Sequence, residues 1–217
     1  MQQLSPELVL RAYARGIFPM AENADSPVLY WFEPSWRGIL PLERFHASRS
    51  LVRRFRRGGW RFSCDQAFAE VMAGCADRPE TWINADIAQV FTALHAQGQA
   101  HSVELRDAAG ELVGGVYGLA IGGAFFAESK FGRRTDASKL ALAELVARLR
   151  RGGFRLLDTQ YLTPHLARLG GIELPRAVYR RQLALALAAP ADHARAFAPE
   201  NPDSPAGAYW QPITQTS

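Results

Sequence analysis

The 217 residues predict a mixed α+β fold, a mostly antiparallel sheet flanked by helices, on three observations. Two stretches between Asp65 and Gly98 return apolar residues every three or four positions, as amphipathic helices do. From His101 to Glu128, β-branched and aromatic residues alternate with glycines, the pattern of strands joined by tight turns. A strong helical segment, a short apolar run and two more helix starts follow, so helices, a meander and a helix–strand–helix succession come in that order.

Ser5-Pro6-Glu7 supplies a capping hydroxyl, a proline at the first helical position and an early acid, and Gly16 a stop, so a helix is expected over 6–15. Residues 17–45 are rich in aromatics and prolines, which favours short strands and turns. A short helix over 48–57 ends at Gly58-Gly59. Asp65 and Asn84 stand as caps for the two amphipathic helices. The meander has a turn at Ala109-Gly110. Thr135-Asp136 opens a helix over 137–151 that Gly152-Gly153 closes, and FRLLD reads as a buried strand. Thr163-Pro164 and Pro175 open two further helices, and the Ala- and Pro-rich stretch beyond about Pro190 is expected to be irregular and loosely docked.

Hydrophobic residues make up 48% of the chain, enough for a core without an external staple. The net charge is only +4, yet the pI is near 9.4 and arginines crowd into a few short stretches. An anionic partner is consistent with that layout. Cys64 and Cys75 show no ligand-like spacing, so neither a disulfide nor a zinc site is expected. The N-terminus has no basic start followed by an apolar run, and no segment is apolar over the length of a membrane span. The expectation is a cytoplasmic protein with no membrane partner.

Ten blocks in one order resemble the leucyl/phenylalanyl-tRNA–protein transferase family. They are AYARGIFPM (12–20), WFEPSWRGILPL (31–42), FHASRSL (45–51), TWI (81–83), HSVE (101–104), LVGGVYG (112–118), AESKF (127–131), ASK (137–139), LLDTQYLTPHLARLGG (156–171) and LPR (174–176). The resemblance implies a small N-terminal domain, drawn here as 1–62, then an acetyltransferase-like (acyl-CoA N-acyltransferase) domain over 63–190, with a tail over 191–217. It implies transfer of Leu or Phe, and Met as a further candidate, from aminoacyl-tRNA to acceptor proteins with N-terminal Arg or Lys, which marks them for degradation by their N-terminus. No cofactor and no metal are implied, and a monomer is the default. One departure concerns Lys130, which stands where the family has a methionine beside the apolar pocket. Its ammonium can bend to solvent and leave only its stem in the wall, or it can pair with an acid and select a more polar side chain.

An aminoacyl ester is already activated, so its aminolysis needs positioning more than ATP, a metal or a covalent intermediate. Asp158 and Gln160 lie at i and i+2 on the expected strand, where extended geometry turns both side chains to one face. The resemblance makes these two the catalytic pair. A neutral amide is an extremely weak base, so Gln160 is expected to orient the acceptor amine rather than deprotonate it. A lone DxQ would otherwise be a strand-end cap.

Glu128 and Ser129 end an apolar strand, and the carboxylate needs a cationic partner there, either the α-ammonium of the aminoacyl group or Lys130 or Arg133. Val116, Phe125, Leu142, Leu145 and Leu157 match the family's side-chain pocket, although periodicity alone makes them core. Trp31, Trp82 and Trp36 are candidates to stack on the terminal adenine of the tRNA 3′ end. Arg49, Arg53, Arg54 and Arg57, with Arg133 and Arg134, are candidates for phosphate contacts along the acceptor stem. His46, His101 and His165 lack metal spacing and read as hydrogen-bonded structural residues.

Two other classes remain open. An acyl-CoA-dependent N-acetyltransferase would need a glycine-rich pyrophosphate turn, which FGRRTDASKLAL approximates with the single glycine Gly132. A tRNA- or degron-binding module with altered or lost amino-acid specificity is the other, given Ala127 and Lys130.

Overall fold

The computed structural model describes residues 4–199. The chain order is α1 (Pro6–Tyr13), β1 (Phe18–Ala21), β2 (Leu29–Phe32), β3 (Trp36–Ile39), a 3-10 turn (Leu42–Arg44), α2 (Arg49–Arg56), β4 (Arg61–Cys64), α3 (Phe68–Ala76) and α4 (Ala85–Ala96). There follow β5 (Ala100–Arg106), β6 (Leu112–Ile121), β7 (Ala124–Gly132), α5 (Ala137–Arg151), β8 (Leu156–Gln160), α6 (Pro164–Ala167), β9 (Ile172–Pro175), α7 (Arg176–Ala188) and α8 (His193–Ala196).

The expected caps act where a short polar side chain precedes the helix. Ser5, Ser48, Asn84 and Thr163 each accept a hydrogen bond from the first turn behind them. Asp65 does not cap: its φ is 58°, and its carboxylate takes the Ser102 N–H at 2.8 Å and the His101 ring at 2.7 Å. The chain turns there, and α3 starts three residues later without a side-chain cap.

One seven-stranded sheet runs in the order β4-β5-β6-β7-β8-β3-β9, and β1 and β2 form a separate hairpin. The expected antiparallel meander is present as β5, β6 and β7. The sheet as a whole is mixed, because β8 returns through α5 to lie parallel to β7. β3 then inserts between β8 and β9, antiparallel to both.

Two apolar layers sandwich the sheet. One joins α2, α5 and Phe197 to the face carrying Val103, Val116 and Phe125. The other joins α1, α3, α4 and α7 to the face carrying Tyr117, Leu119 and Phe126. Coverage on both faces explains why β6 reads as an almost unbroken apolar run.

Two features of chain organisation differ from expectation. Residues 36–57 are woven into the main body, since β3 is an inner strand and Leu40, Leu42, Phe45 and Leu51 belong to its core. Residues 191–199 are firmly docked rather than loose. Phe197 stacks on His101 at 3.7 Å and packs against Phe125 and Phe154, while Arg148 donates to the Ala198 carbonyl at 2.9 Å. The remainder of the expected tail, 200–217, lies outside the described residues.

Candidate active site

The parallel pairing of β7 with β8 runs from Ala124 opposite Leu156 to Phe126 opposite Asp158 and stops there. Just beyond it lies a cavity of about 220 Å³. That is smaller than the ~300–1,000 Å³ pocket of a drug-sized ligand, and it suits one amino-acid side chain with its ester group. Val116, Ala127, Leu142 and Leu166 form an apolar wall, and Phe18, Met20, Trp82 and Tyr161 an aromatic and thioether wall. Glu128, Ser129, Lys130, Thr159, Gln160, Thr163 and Arg78 supply the polar groups.

A register shift gives β7 its functional shape. Gly118 faces Ala127 while the adjacent Tyr117 faces Ser129, so Glu128 is an extra residue with no partner across the strand. Such a bulge re-aims side chains: Lys130 stays on the Val116 face, and Glu128 is released toward the end of β8.

β8 ends in an equally unusual conformation. Gln160 has φ 56°, a left-handed value rare for a residue with a side chain, and its N–H donates to Asp158 Oδ1 at 2.8 Å. The chain that follows runs tight against β3, where a Cβ on Gly38 would lie 2.5 Å from the Leu162 nitrogen. Only glycine allows that approach. The Gln160 amide Nε2 reaches Glu128 Oε1 at 3.3 Å inside the cavity.

Asp158 and Gln160 therefore do not present a pair of side chains to one space, because the left-handed residue breaks the strand alternation. Asp158 is wholly buried behind the cavity. It accepts Arg37 Nε at 2.9 and 3.1 Å, Arg37 Nη2 at 2.7 Å and the Tyr179 hydroxyl at 2.5 Å, besides the Gln160 N–H. Arg37 is itself held by the Gly16 carbonyl at 2.9 Å and lies over the rings of Phe18 and Tyr179. Sequence reasoning does not single out this fork. Arg37 and Tyr179 are an arginine among aromatics and a helical tyrosine, and neither advertises a partner more than a few residues away.

The Glu128 carboxyl is pushed up to about 8. Burial is the main cause; the Asp158 charge adds to it, and Arg37 opposes. The Tyr13 hydroxyl lies close enough to counter part of the shift but forms no well-aligned hydrogen bond. Of the partners open to Glu128, neither Lys130 nor Arg133 forms an ion pair with it among the described residues. Burial also pulls the Lys130 ammonium below its usual range, with Arg78 acting in the same sense and Cys75 opposing. Lys130 thus keeps to the wall of the cavity without an acid partner among the described residues. Ser129 takes a hydrogen bond from Arg78 at 2.8 Å.

Of the other expected pocket residues, Val116, Leu142 and Trp82 line the cavity, whereas Phe125, Leu145 and Leu157 are core. Their apolar periodicity is that of a helix and strands buried on both sides. Trp31 lies 40% exposed on the β1–β2 hairpin beside Arg11 and Arg15, and Trp36 is 57% exposed at the start of β3. Trp82 alone of the three reaches the cavity. Met20, Phe18, Arg78, Tyr161 and Leu166 escape sequence reasoning. They come from β1, the loop after α3, the turn after β8 and α6, which only the tertiary fold assembles.

Arg49, Arg53 and Arg57 are exposed, and Arg54 pairs with Asp136 at 3.1 Å. Arg134 pairs with Asp107 at 3.2 Å, and Arg133 lies over Phe131. Asp136 precedes α5 without capping it, and its carboxylate bridges Arg54 and Lys139, the latter at 2.7 Å, beside that helix end. A pyrophosphate would seek that position in an acyl-CoA site and would meet this charge. His101 is hydrogen-bonded as expected, but His46 is exposed and His165 Nε2 is buried with no partner among the described residues. No cluster of three metal-binding side chains is found among the described residues, and no helix there is long and apolar enough to cross a membrane.

A strand pair that parts beside a small, half-open cavity with a restrained polar corner defines a site for holding one compact acyl-type substituent. The family model described as leucyl/phenylalanyl-tRNA protein transferase matches residues 39–184, and that of its N-terminal domain matches 2–35. The leucyl/phenylalanyl-tRNA–protein transferase of Ruegeria pomeroyi is 57% identical over 214 residues, 99% of each chain. That of Cereibacter sphaeroides (strain ATCC 17025) is 55% identical over 214 residues, 99% of this chain and 98% of the relative. Among solved structures, L-PGS from Bacillus licheniformis is similar over 70% of this chain and 51% of its own, with a TM-score of 0.41 and 15% identity, too distant to bear on the chemistry. The chain belongs to the leucyl/phenylalanyl-tRNA–protein transferase family.

Proposed function

We infer that this protein is an aminoacyltransferase that moves Leu or Phe from aminoacyl-tRNA to the N-terminus of acceptor proteins. Family membership over nearly the whole chain supports the reaction. The observation that carries the site is the cavity at the β7–β8 gap, apolar on one wall and ending at Gln160 and Glu128.

In this reading the amino-acid side chain lies against Val116, Ala127, Leu142 and Leu166, and the terminal adenine stacks on Trp82. Gln160 orients the acceptor amine toward the ester carbonyl. Asp158 is a positioning residue that acts through the Gln160 N–H, in a socket made by Arg37 and Tyr179. Arg49, Arg53 and Arg57 hold acceptor-stem phosphates without reading sequence. The acceptors begin with Arg or Lys and are thereby marked for degradation. The enzyme works as a monomer in the cytoplasm without metal or cofactor, on an acetyltransferase-like fold. We draw the line between its small N-terminal unit and its catalytic unit at the β2–β3 junction rather than at residue 62, since β3 belongs to the main sheet.

A transfer assay tests this. The protein is incubated with radiolabelled Leu-, Phe-, Met- and Lys-tRNA and a peptide beginning with Arg, with acetyl-CoA as the rival donor. Label on the peptide from Leu- or Phe-tRNA is expected. Label only from acetyl-CoA, or tRNA binding without transfer, would replace this reading.

A further inference from the structure

Aminolysis of an ester forms a C–N bond, breaks the bond from the carbonyl carbon to the ribose oxygen, and obliges one proton to leave the attacking amine while the departing oxygen gains one. The two residues implicated so far cannot carry that proton. Gln160 offers an amide, an extremely weak base. The Asp158 carboxylate is wholly buried and already accepts hydrogen bonds from Arg37, Tyr179 and the Gln160 N–H, so no incoming amine reaches it.

We propose that Glu128 takes the proton from the acceptor amine and returns it to the ribose oxygen as the ester breaks. The step balances, because Glu128 gains one proton and gives up one. This inference rests on the transferase reading above and names the group that moves its proton.

The geometry singles Glu128 out. It is the one carboxyl lining the cavity among the described residues. The β7 bulge leaves it unpaired across the strand, where the β7–β8 pairing has ended. Its Oε1 lies 3.3 Å from the Gln160 amide nitrogen, so an amine oriented by Gln160 arrives beside it.

The charged and titratable groups around it are Tyr13 on α1, Tyr117 on β6, Asp158 on β8 and Arg37 on β3. Burial, with the Asp158 charge adding and Tyr13 and Arg37 opposing, leaves the carboxyl at about 8, close to the ordinary range of an α-amine, about 7.7–8.0. A matched donor and acceptor exchange a proton with little bias either way. Lys130 is the other titratable group of this strand in the cavity, but it lies on the Val116 face, away from the Glu128–Gln160 hydrogen bond.

Glu128 could instead serve only as counter-ion to the α-ammonium of the donor, and one comparison separates the roles. Single-turnover transfer to an Arg-peptide is measured for wild type, Glu128→Gln and Glu128→Asp, each with Leu-tRNA and with tRNA carrying the 2-hydroxy analogue of leucine, which lacks the α-amine. The proposal expects Glu128→Gln to lose about 10²–10⁴-fold in rate with both donors. It also expects the rise in rate with pH toward about 8, to which Glu128 and the acceptor amine both contribute in wild type, to become shallower in Glu128→Gln, where only the amine titrates, with partial recovery in Glu128→Asp. A Glu128→Gln defect confined to KM for the amine-bearing donor, with the hydroxy donor spared, would overturn it. Wild type that transfers from neither donor would overturn the transferase reading and this inference with it.

Discussion

Arg37 and Asp158, 121 residues apart, form a fully buried two-pronged ion pair directly behind the cavity. The pair fixes the turn in which Gln160 adopts its left-handed conformation, and it binds β3 to β8 at the point where the sheet opens. Removing one partner strands the other charge in the interior. Arg37→Ala is therefore expected to cost about 3–5 kcal/mol. Arg37→Lys should recover only part of this, since an ammonium cannot span both oxygens and the Gly16 carbonyl. Denaturant unfolding measures both, and losses under about 0.5 kcal/mol would mean that the pair is dispensable.

The Glu128 carboxyl carries a stability signature that needs no substrate. Folded, it holds its proton to about 8; unfolded, it releases it near 4.5. The folded state binds more protons between those values, so this group's contribution to stability falls as pH rises across the window. Glu128→Gln has no such loss. Its melting temperature should match wild type near pH 4.5 and exceed it increasingly toward pH 9, and parallel curves would contradict the raised value.

Arg54 is engaged with Asp136, whereas Arg49, Arg53 and Arg57 are exposed. Reversing these three to Glu while keeping Arg54 should weaken tRNA binding. The slope of log affinity against log salt should drop by about 2–3, close to one for each phosphate that the protein ceases to neutralise. Titrations at several salt concentrations that give the wild-type slope would move the tRNA elsewhere.

Lys130 brings an ammonium to a wall otherwise made of Val116, Leu142 and Leu166. Lys130→Met dries that wall, and kcat/KM for Leu- and Phe-tRNA relative to more polar donors should rise on the order of 10-fold. An unchanged ranking of donors would place the ammonium outside the path of the side chain.

Phe197 anchors the last described segment against His101, Phe125 and Phe154. Phe197→Ala should cost about 3–5 kcal/mol in thermal or denaturant unfolding. A change under about 1 kcal/mol would show that the segment contributes little.

The candidate site is legible in part. Gln160, Glu128, Ser129, Lys130, Val116, Leu142 and Trp82 all stand out in the sequence and all line the cavity. Phe125, Leu145 and Leu157 stand out with them and are core, because an apolar residue on a strand or helix looks the same whether its face meets a cavity or a packed layer. Arg37 and Tyr179 do not stand out, although they hold Asp158, since an ion pair spanning 121 residues leaves no periodic trace.

Local chemistry determined the helices and the meander. The α5 segment over 137–151, between Asp136 and Gly152, has the bounds its residues predict, because side-chain periodicity acts within a turn or two, although Asp136 makes no capping hydrogen bond. Tertiary structure decided the rest: the insertion of β3 between β8 and β9, the bulge that releases Glu128, and the socket that seals Asp158 away from the cavity. Each of these depends on segments distant in the chain meeting at one place, and their pairing energy exists only once the sheet has closed around them.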